Sequence, residues 1–227
     1  MNIALNEDCM DVMRLYPDKY FDLAVADPPY YSGPERRGNY GSDRSATGVQ
    51  CRDYPVTTAW EVPGSEFFSE LERVSKRYIV WGCNYYDHVF AHGRIVWDKC
   101  NGNSSFSDCE IAATNCHDSV RMFRYMWNGM MQGKNMNEGH IMRGNKAMND
   151  VRIHPTQKPI DLYRWIYSRY ATPGDKIIDT HLGSGTSRRA AFDYGLDFIG
   201  CELEKCYFDL QEQAFAEYTA QIRMNGV

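Results

Sequence analysis

The stretch from Asp179 to Thr186 reads DTHLGSGT, and a second acid, Glu202, stands 23 residues beyond Asp179. Gly183 and Gly185 let a backbone approach a ligand closely, and the helix start that follows offers free N–H groups. An acid closing the next strand, as Glu202 does, can accept hydrogen bonds from both hydroxyls of a ribose. Glycines serving tight packing beside a surface glutamate are the plainer reading of the same residues. Read as a site, the unit holds a nucleoside. A dinucleotide fingerprint needs a third glycine where this chain has the bulky Arg188, and a phosphate loop needs a lysine that is absent here. Asp179, just before the turn, repels a phosphate and suits a cationic group. A ribose joined to a sulfonium is S-adenosylmethionine, so the pattern favours methyl transfer over hydride transfer or nucleotide hydrolysis.

A second candidate site lies far upstream. The apolar run Leu23 to Ala26 ends in Asp27, Pro28, Pro29 and Tyr30. Proline gives no N–H to a strand ladder, so the two prolines stop the strand and leave Asp27 and Tyr30 at its carboxyl end. Ligands of open α/β sheets bind at that end. A tight turn capped by an aspartate is the alternative.

The elements that position these residues read as alternating strands and helices. Strands are expected at Leu23 to Ala26, in YIVWG and RIVWD, in CEIAATN, at Lys176 to Asp179 and at Phe198 to Cys201. Ser65 is expected to cap a helix from Glu66 to Arg77. Ile160, Tyr163, Tyr167 and Tyr170 recur at helical spacing, and that helix stops before TPGD. Ser187 to Tyr194 is expected as a helix closed by Gly195, and a long helix follows Glu204. Residues 31–60, rich in Gly, Ser and Arg, read as a mobile loop. From Asn128 to Asn149 periodicity fades, as in functional or disordered loops.

The chain has 227 residues, 43% hydrophobic and 24% charged, which are ordinary values for one globular catalytic domain. No apolar run reaches the length of a membrane span, and the N-terminus lacks the basic start and apolar core of a secretory signal. The eight cysteines are scattered without a CxxC pair, so reduced thiols and no metal site are expected. Net charge is −5, yet Ser119 to Lys158 holds seven basic and two acidic residues. This basic stretch on an acidic scaffold suggests a nucleic-acid face, and a solvated loop is the bland alternative.

DPPY early, HPTQKP in the middle and GSGT late, in that order, resemble an amino-group DNA methyltransferase of the β arrangement, of the compact bacterial or phage adenine methylase type. The resemblance runs from about Asn6 to Tyr207. It implies an α/β, Rossmann-like, S-adenosylmethionine-dependent methyltransferase fold in circularly permuted order, with a mostly parallel sheet and helices on both faces. It makes Asp27, Pro28, Pro29 and Tyr30 the catalytic tetrad. Asp8 and Cys9 become candidates for meeting the cofactor's adenine. Asp179, His181, Leu182, Gly183, Gly185 and Thr186 line the cofactor turn, with Glu202 on the ribose. Thr156, Gln157 and Lys158 border the cofactor's carboxylate end. This chain has Asp179-Thr180-His181 where the family usually has Asp-Pro-Phe; His181 either titrates or packs as a neutral ring.

The resemblance further implies adenine N6 in double-stranded DNA as the target, because an aspartate opens the tetrad. An N4-cytosine enzyme, an RNA or protein amide methyltransferase, and a non-catalytic nucleic-acid-binding module with a residual cofactor pocket are the alternatives. Residues 119–153 are the candidate target-recognition insert, with Arg121, Arg124, Lys134, Arg143 and Lys146 as DNA contacts and Tyr125 and Trp127 interleaved. Arg36, Arg37 and Arg44 are placed to close over the target base. A cytoplasmic monomer or homodimer of the restriction-modification type is expected.

Overall fold

Leu23, Ala24, Val25 and Ala26 are all buried, which a strand achieves only between two helical layers. In the computed structural model, which describes residues 1–30, 54–55, 60–100, 107–128, 131–132 and 150–224, those layers are present. The elements run β1 (Asn2–Leu5), α1 (Cys9–Arg14), β2 (Leu23–Ala26), α2 (Ser65–Val74), β3 (Tyr78–Trp81), β4 (Gly93–Asp98), β5 (Cys109–Thr114), β6 (Val120–Arg124), β7 (Trp127–Asn128) and β8 (Met131–Gln132). They continue with α3 (Ile160–Tyr170), β9 (Lys176–Asp179), α4 (Thr186–Asp193), β10 (Asp197–Cys201) and α5 (Lys205–Met224).

One eight-stranded sheet takes strands from both ends of the chain, in the order β1-β10-β9-β2-β3-β5-β4-β6. Only β5 runs antiparallel to its neighbours. Side chains of a strand alternate between faces, and the core divides accordingly. Leu23, Val25, Ile79 and Ile177 pack with Leu162, Ile166 and Ala190 of α3 and α4. Ala24, Ala26, Val80 and Ile178 pack with Val12 of α1 and Phe68, Leu71 and Val74 of α2. The sheet is mostly parallel, with helices on both faces and the nucleoside-type βαβ unit, β9-α4-β10, after the strand that bears the tetrad.

β2 and β9 are direct neighbours, with Val25 opposite Asp179. From β9 the chain passes to β10 on one side, and from β2 it passes to β3 on the other. The carboxyl ends of β9 and β2 therefore flank the point where connections diverge, where α/β sheets open a crevice.

Two expectations are corrected. Ser65 does not cap α2; it is the first helical residue, and Gly64 stands extended at the N-cap with no side-chain bond. The helix stops at Val74 rather than Arg77, because Ser75 turns extended and bridges Phe21 before β3 begins. β6, at the start of the expected insert at 119–153, is the edge strand of the main sheet. Among the described residues no helix is long and apolar enough to cross a membrane.

Candidate active site

The tetrad follows β2 where the prolines end its ladder. Asp27 is not alone there. Its Oδ1 meets the ammonium of Lys158, which also lies 3.0 Å from Glu110 Oε2. Glu110 comes from the start of β5; because β5 is antiparallel, that start lies at the same rim as the carboxyl ends of β2 and β3. The other oxygen of Glu110 pairs with Lys99 Nζ at 2.5 Å. Lys158 is fully buried, with the Trp81 and Tyr30 rings 5.6 and 5.7 Å away. Burial pushes the Asp27 carboxyl up from its ordinary value; Lys158 and Lys99 pull it back and Glu110 pushes it further. Burial alone would raise Glu110 too, but Lys158 and Lys99 outweigh it and hold that carboxyl at about 2. Burial would strip Lys158 of its proton, but the two carboxylates outweigh it and keep the ammonium charged.

The Pro28 carbonyl accepts a hydrogen bond from Tyr86 Oη at 2.9 Å. A carbonyl oxygen has a second lone pair, so it remains able to accept another. The Tyr30 ring stacks on Tyr85, centroids 5.0 Å apart at 17°. Behind it lies Gly82 at φ +71°, where a Cβ would fall 2.5 Å from Tyr30 Cδ1. Glycine is required at that position both by its backbone and by the ring against it.

The glycine turn is held by its own hydrogen bonds. Gly183 N donates to Glu202 Oε2 at 2.8 Å, and Glu204 N to Oε1 at 2.9 Å. Glu202 is thus fixed in place, with a lone pair left on each oxygen. Asp179 accepts from His181 N at 3.0 Å and from the Ser187 hydroxyl, and burial raises its carboxyl to about 7. It stands behind the turn rather than in the cavity wall. Gly185, at φ +68°, caps α4 and packs on Gln211 of α5. Arg188, in the third-glycine position, is buried against Asn2, Gln211 and Glu212.

Between these groups lies a cavity of about 530 Å³, within the range of small-molecule sites. Asp8, Cys9, Asp27, Pro29, Thr156, Gln157, Lys158, His181, Leu182, Gly183, Thr186 and Glu202 all line it. The two halves read from the sequence therefore face one space. His181 packs edge-on to Phe67, ring centroids 5.3 Å apart, and burial lowers it to about 4, so it is a neutral packed ring. Burial pushes the Cys9 thiol up to about 12. Among the described residues no group of three or more His, Cys, Asp or Glu could hold a metal ion.

Other expected residues lie elsewhere. Tyr125 and Trp127 are core residues, and the Trp127 indole donates to the Gln157 carbonyl at 2.8 Å. Arg121 and Arg124 are exposed on β6 but three residues apart, hence on opposite faces and about 10 Å apart along the strand. Arg124 pairs with Asp98 at 3.0 Å, whereas Arg121 lies beside Arg169 and Tyr170 at the far end of α3. Arg36, Arg37, Arg44, Lys134, Arg143 and Lys146 lie outside the described residues.

Sequence reasoning missed Glu110, Lys99, Tyr86 and the Tyr85–Gly82 backing of Tyr30. It also missed His154, which lines the cavity under Gly183 and is driven to about 3 by burial. Glu110 had a signal, a lone acid in the apolar run CEIAAT; Tyr86 had none.

The DNA methylase family profile (N6_N4_Mtase) matches residues 21–213. The Type II methyltransferase M.HinfI of Haemophilus influenzae is 22% identical over 96% of this chain and 69% of its own length. The M1.HpyAVI–SAM complex superposes with a TM-score of 0.51 at 17% identity, covering 95% of this chain and all of that one. The PvuII cytosine-N4-specific DNA methyltransferase superposes with a TM-score of 0.55 at 11% identity, covering 100% and 94%. The match over most of the length, on a sheet whose two halves share one cavity, makes this chain a member of the N6/N4 DNA methylase family.

Proposed function

We propose that this chain methylates the exocyclic N6 of adenine in double-stranded DNA after the base has been flipped out of the helix. One observation supports the reading above the rest: Asp27 and Glu202, on opposite halves of the sequence, line the same cavity. The cofactor is S-adenosylmethionine, and the residues present fit it. Glu202, pinned by two backbone N–H groups, suits the ribose hydroxyls. Asp8 and Cys9 at the start of α1 suit the adenine, and Thr156 and Gln157 border the opposite end. S-adenosylmethionine supplies an electrophilic methyl group on sulfur, and the carbon–sulfur bonding pair stays with sulfur as the new nitrogen–carbon bond forms.

An exocyclic amino nitrogen is a weak nucleophile because its lone pair is delocalised into the ring. Asp27 accepts one amino hydrogen and the Pro28 carbonyl the other, drawing the nitrogen toward tetrahedral geometry and freeing the pair. Tyr30, braced by Tyr85 and Gly82, stacks on the base. A paired base exposes no free amino group, so it must leave the duplex. After transfer the nitrogen carries a positive charge and loses a proton toward Asp27. Most of the acceleration comes from alignment. On the DNA side, Arg124 at the rim end of β6, with Lys134, Arg143 and Lys146, contacts phosphates or guanine edges. Arg121 faces away from that rim.

An N4-cytosine enzyme shares this fold, as PvuII does. Unmodified DNA incubated with the protein and S-adenosylmethionine, digested and analysed by nucleoside mass spectrometry, separates the two. N6-methyl-2′-deoxyadenosine is expected with the native chain and none with Asp27→Ala. N4-methyl-2′-deoxycytidine would overturn the choice of base, and full activity in Asp27→Ala would overturn the assignment of the site.

A further inference from the structure

We infer that Glu110 and Lys99 are positioning residues for methyl transfer: acting through Lys158, they tune the carboxylate of Asp27 that receives the amino group. The inference rests on Asp27 being that acceptor. Lys158 is the pivot, an ammonium shared between Asp27 Oδ1 and Glu110 Oε2, with Lys99 on the far oxygen of Glu110. The four formal charges cancel, and the chain of contacts runs from near the surface to the reacting edge. Asp27 and Lys158 line the cavity, whereas Glu110 and Lys99 stand behind Lys158, outside its lining. Both act on Asp27 by way of the ammonium between them.

A buried cation shared by two anions distributes itself according to their charge, and little solvent is present to blunt the effect. Neutralising Glu110 leaves Lys158 to Asp27 alone; that pair tightens and the carboxylate is held more firmly as an anion. Removing Lys99 does the opposite. Glu110 then turns its full charge on Lys158, the ammonium loosens from Asp27, and the carboxylate takes a proton more readily. Asp27 is also faced by Tyr86 beyond β3, by Tyr163 of α3 and by Asp179 of β9. Those three are unchanged in either variant, so the two substitutions isolate the relay.

The test is single-turnover methylation of DNA at saturating S-adenosylmethionine across pH, for the native protein, Glu110→Gln, Glu110→Asp and Lys99→Met. In Glu110→Gln the acid limb should move down by about half a unit or more, and the plateau rate should fall roughly ten-fold. In Lys99→Met the acid limb should move up. Glu110→Asp should return toward the native profile, and S-adenosylmethionine affinity should stay within about three-fold throughout. Opposite shifts from neighbouring substitutions are not what loss of packing produces. Limbs that stay put, or that move the same way, overturn the inference. If Glu110→Gln does not fold, Lys99→Met decides alone by the direction of its shift. Asp27→Ala, which removes the acceptor altogether, separates the two levels: an active Asp27→Ala defeats the assignment of the acceptor itself, whereas an inactive one with unshifted limbs in the other variants defeats only the relay.

Discussion

Gly82→Ala should disable transfer by pushing Tyr30 out of place, and the size of the effect can be worked from the geometry. Gly82 has φ +71°, a left-handed conformation that costs an L-residue roughly 1–2 kcal/mol. The new Cβ would lie 2.5 Å from Tyr30 Cδ1, 2.7 Å from Cγ and 3.1 Å from Cβ. Carbon atoms rest about 3.5 Å apart or more, so the ring must retreat by about 1 Å. Rotation about χ1 does not relieve the contact with Cβ, so the shift passes into the backbone of Pro29 and Tyr30, which continues to Pro28 and Asp27. Overpacking of this kind adds about 1–3 kcal/mol. Together these lower the melting temperature by roughly 5–15 °C for a chain of this size. A displacement of about 1 Å at the reacting edge costs on the order of a hundred-fold in rate.

The assay is a thermodynamic cycle with Tyr30→Ala, read by thermal unfolding, together with single-turnover transfer of labelled methyl to DNA. Without the ring the Cβ has space, so in the Tyr30→Ala background Gly82→Ala should cost only the backbone term, about 1–2 kcal/mol. S-adenosylmethionine affinity should change little in the single variant, because neither Gly82 nor Tyr30 lines the cofactor cavity. A native rate in Gly82→Ala, or the same loss of stability with and without the Tyr30 ring, would refute the argument.

Two further outcomes are expected. Tyr86→Phe removes the donor to the Pro28 carbonyl, whose bond is 2.9 Å long; it should cost about 1 kcal/mol of stability and several-fold in single-turnover rate with unchanged cofactor affinity, and an unaltered rate would show the hydroxyl to be idle. Asp179 titrates at about 7 when folded, against an ordinary 3.8. The folded state therefore holds the proton more tightly, and this contribution to stability is complete below pH 3.8 and lost as pH rises to about 7. Asp179→Asn should gain on the native protein across that window, by an amount on the order of 4 kcal/mol at its upper end. Chemical unfolding at several pH values measures the difference, and one that does not change with pH counts against the assignment.

What the chain shows in sequence and what it hides divide along a physical line. The βαβ unit is legible because its determinants are local: two glycines, a strand on each side, and an acid at a set distance. The tetrad is legible because the prolines force a stop that any reader of backbone chemistry must respect. Glu110 and Lys99 are hidden because their meaning depends on β5 running antiparallel, which carries the start of that strand to the rim where the other strands end. Nothing near residue 110 announces that reversal. Tyr125 and Trp127 mislead for the converse reason. Aromatics interleaved with arginines look alike whether they form a nucleic-acid face or an edge strand that runs back into the core, and here Phe123 packs on Tyr125 and on Trp165 of α3.

The convergence of the two halves follows from a single register. β2 pairs with β9 so that Val25 lies opposite Asp179, and β9 pairs with β10 so that Asp179 lies opposite Gly200. Asp27 emerges two residues past Val25 and Glu202 two residues past Gly200, so both acids leave the sheet at the same height on either side of β9. A slip of one residue between β2 and β9 would turn Leu23 and Val25 from the α3–α4 core toward α1 and α2. It would also carry Asp27 off the level of the glycine turn. The buried alternation of β2 therefore does two tasks at once. The packing that makes the slip costly for the core is the same packing that keeps the acceptor level with the cofactor turn, so the accuracy of the site comes from the sheet rather than from the loops around it.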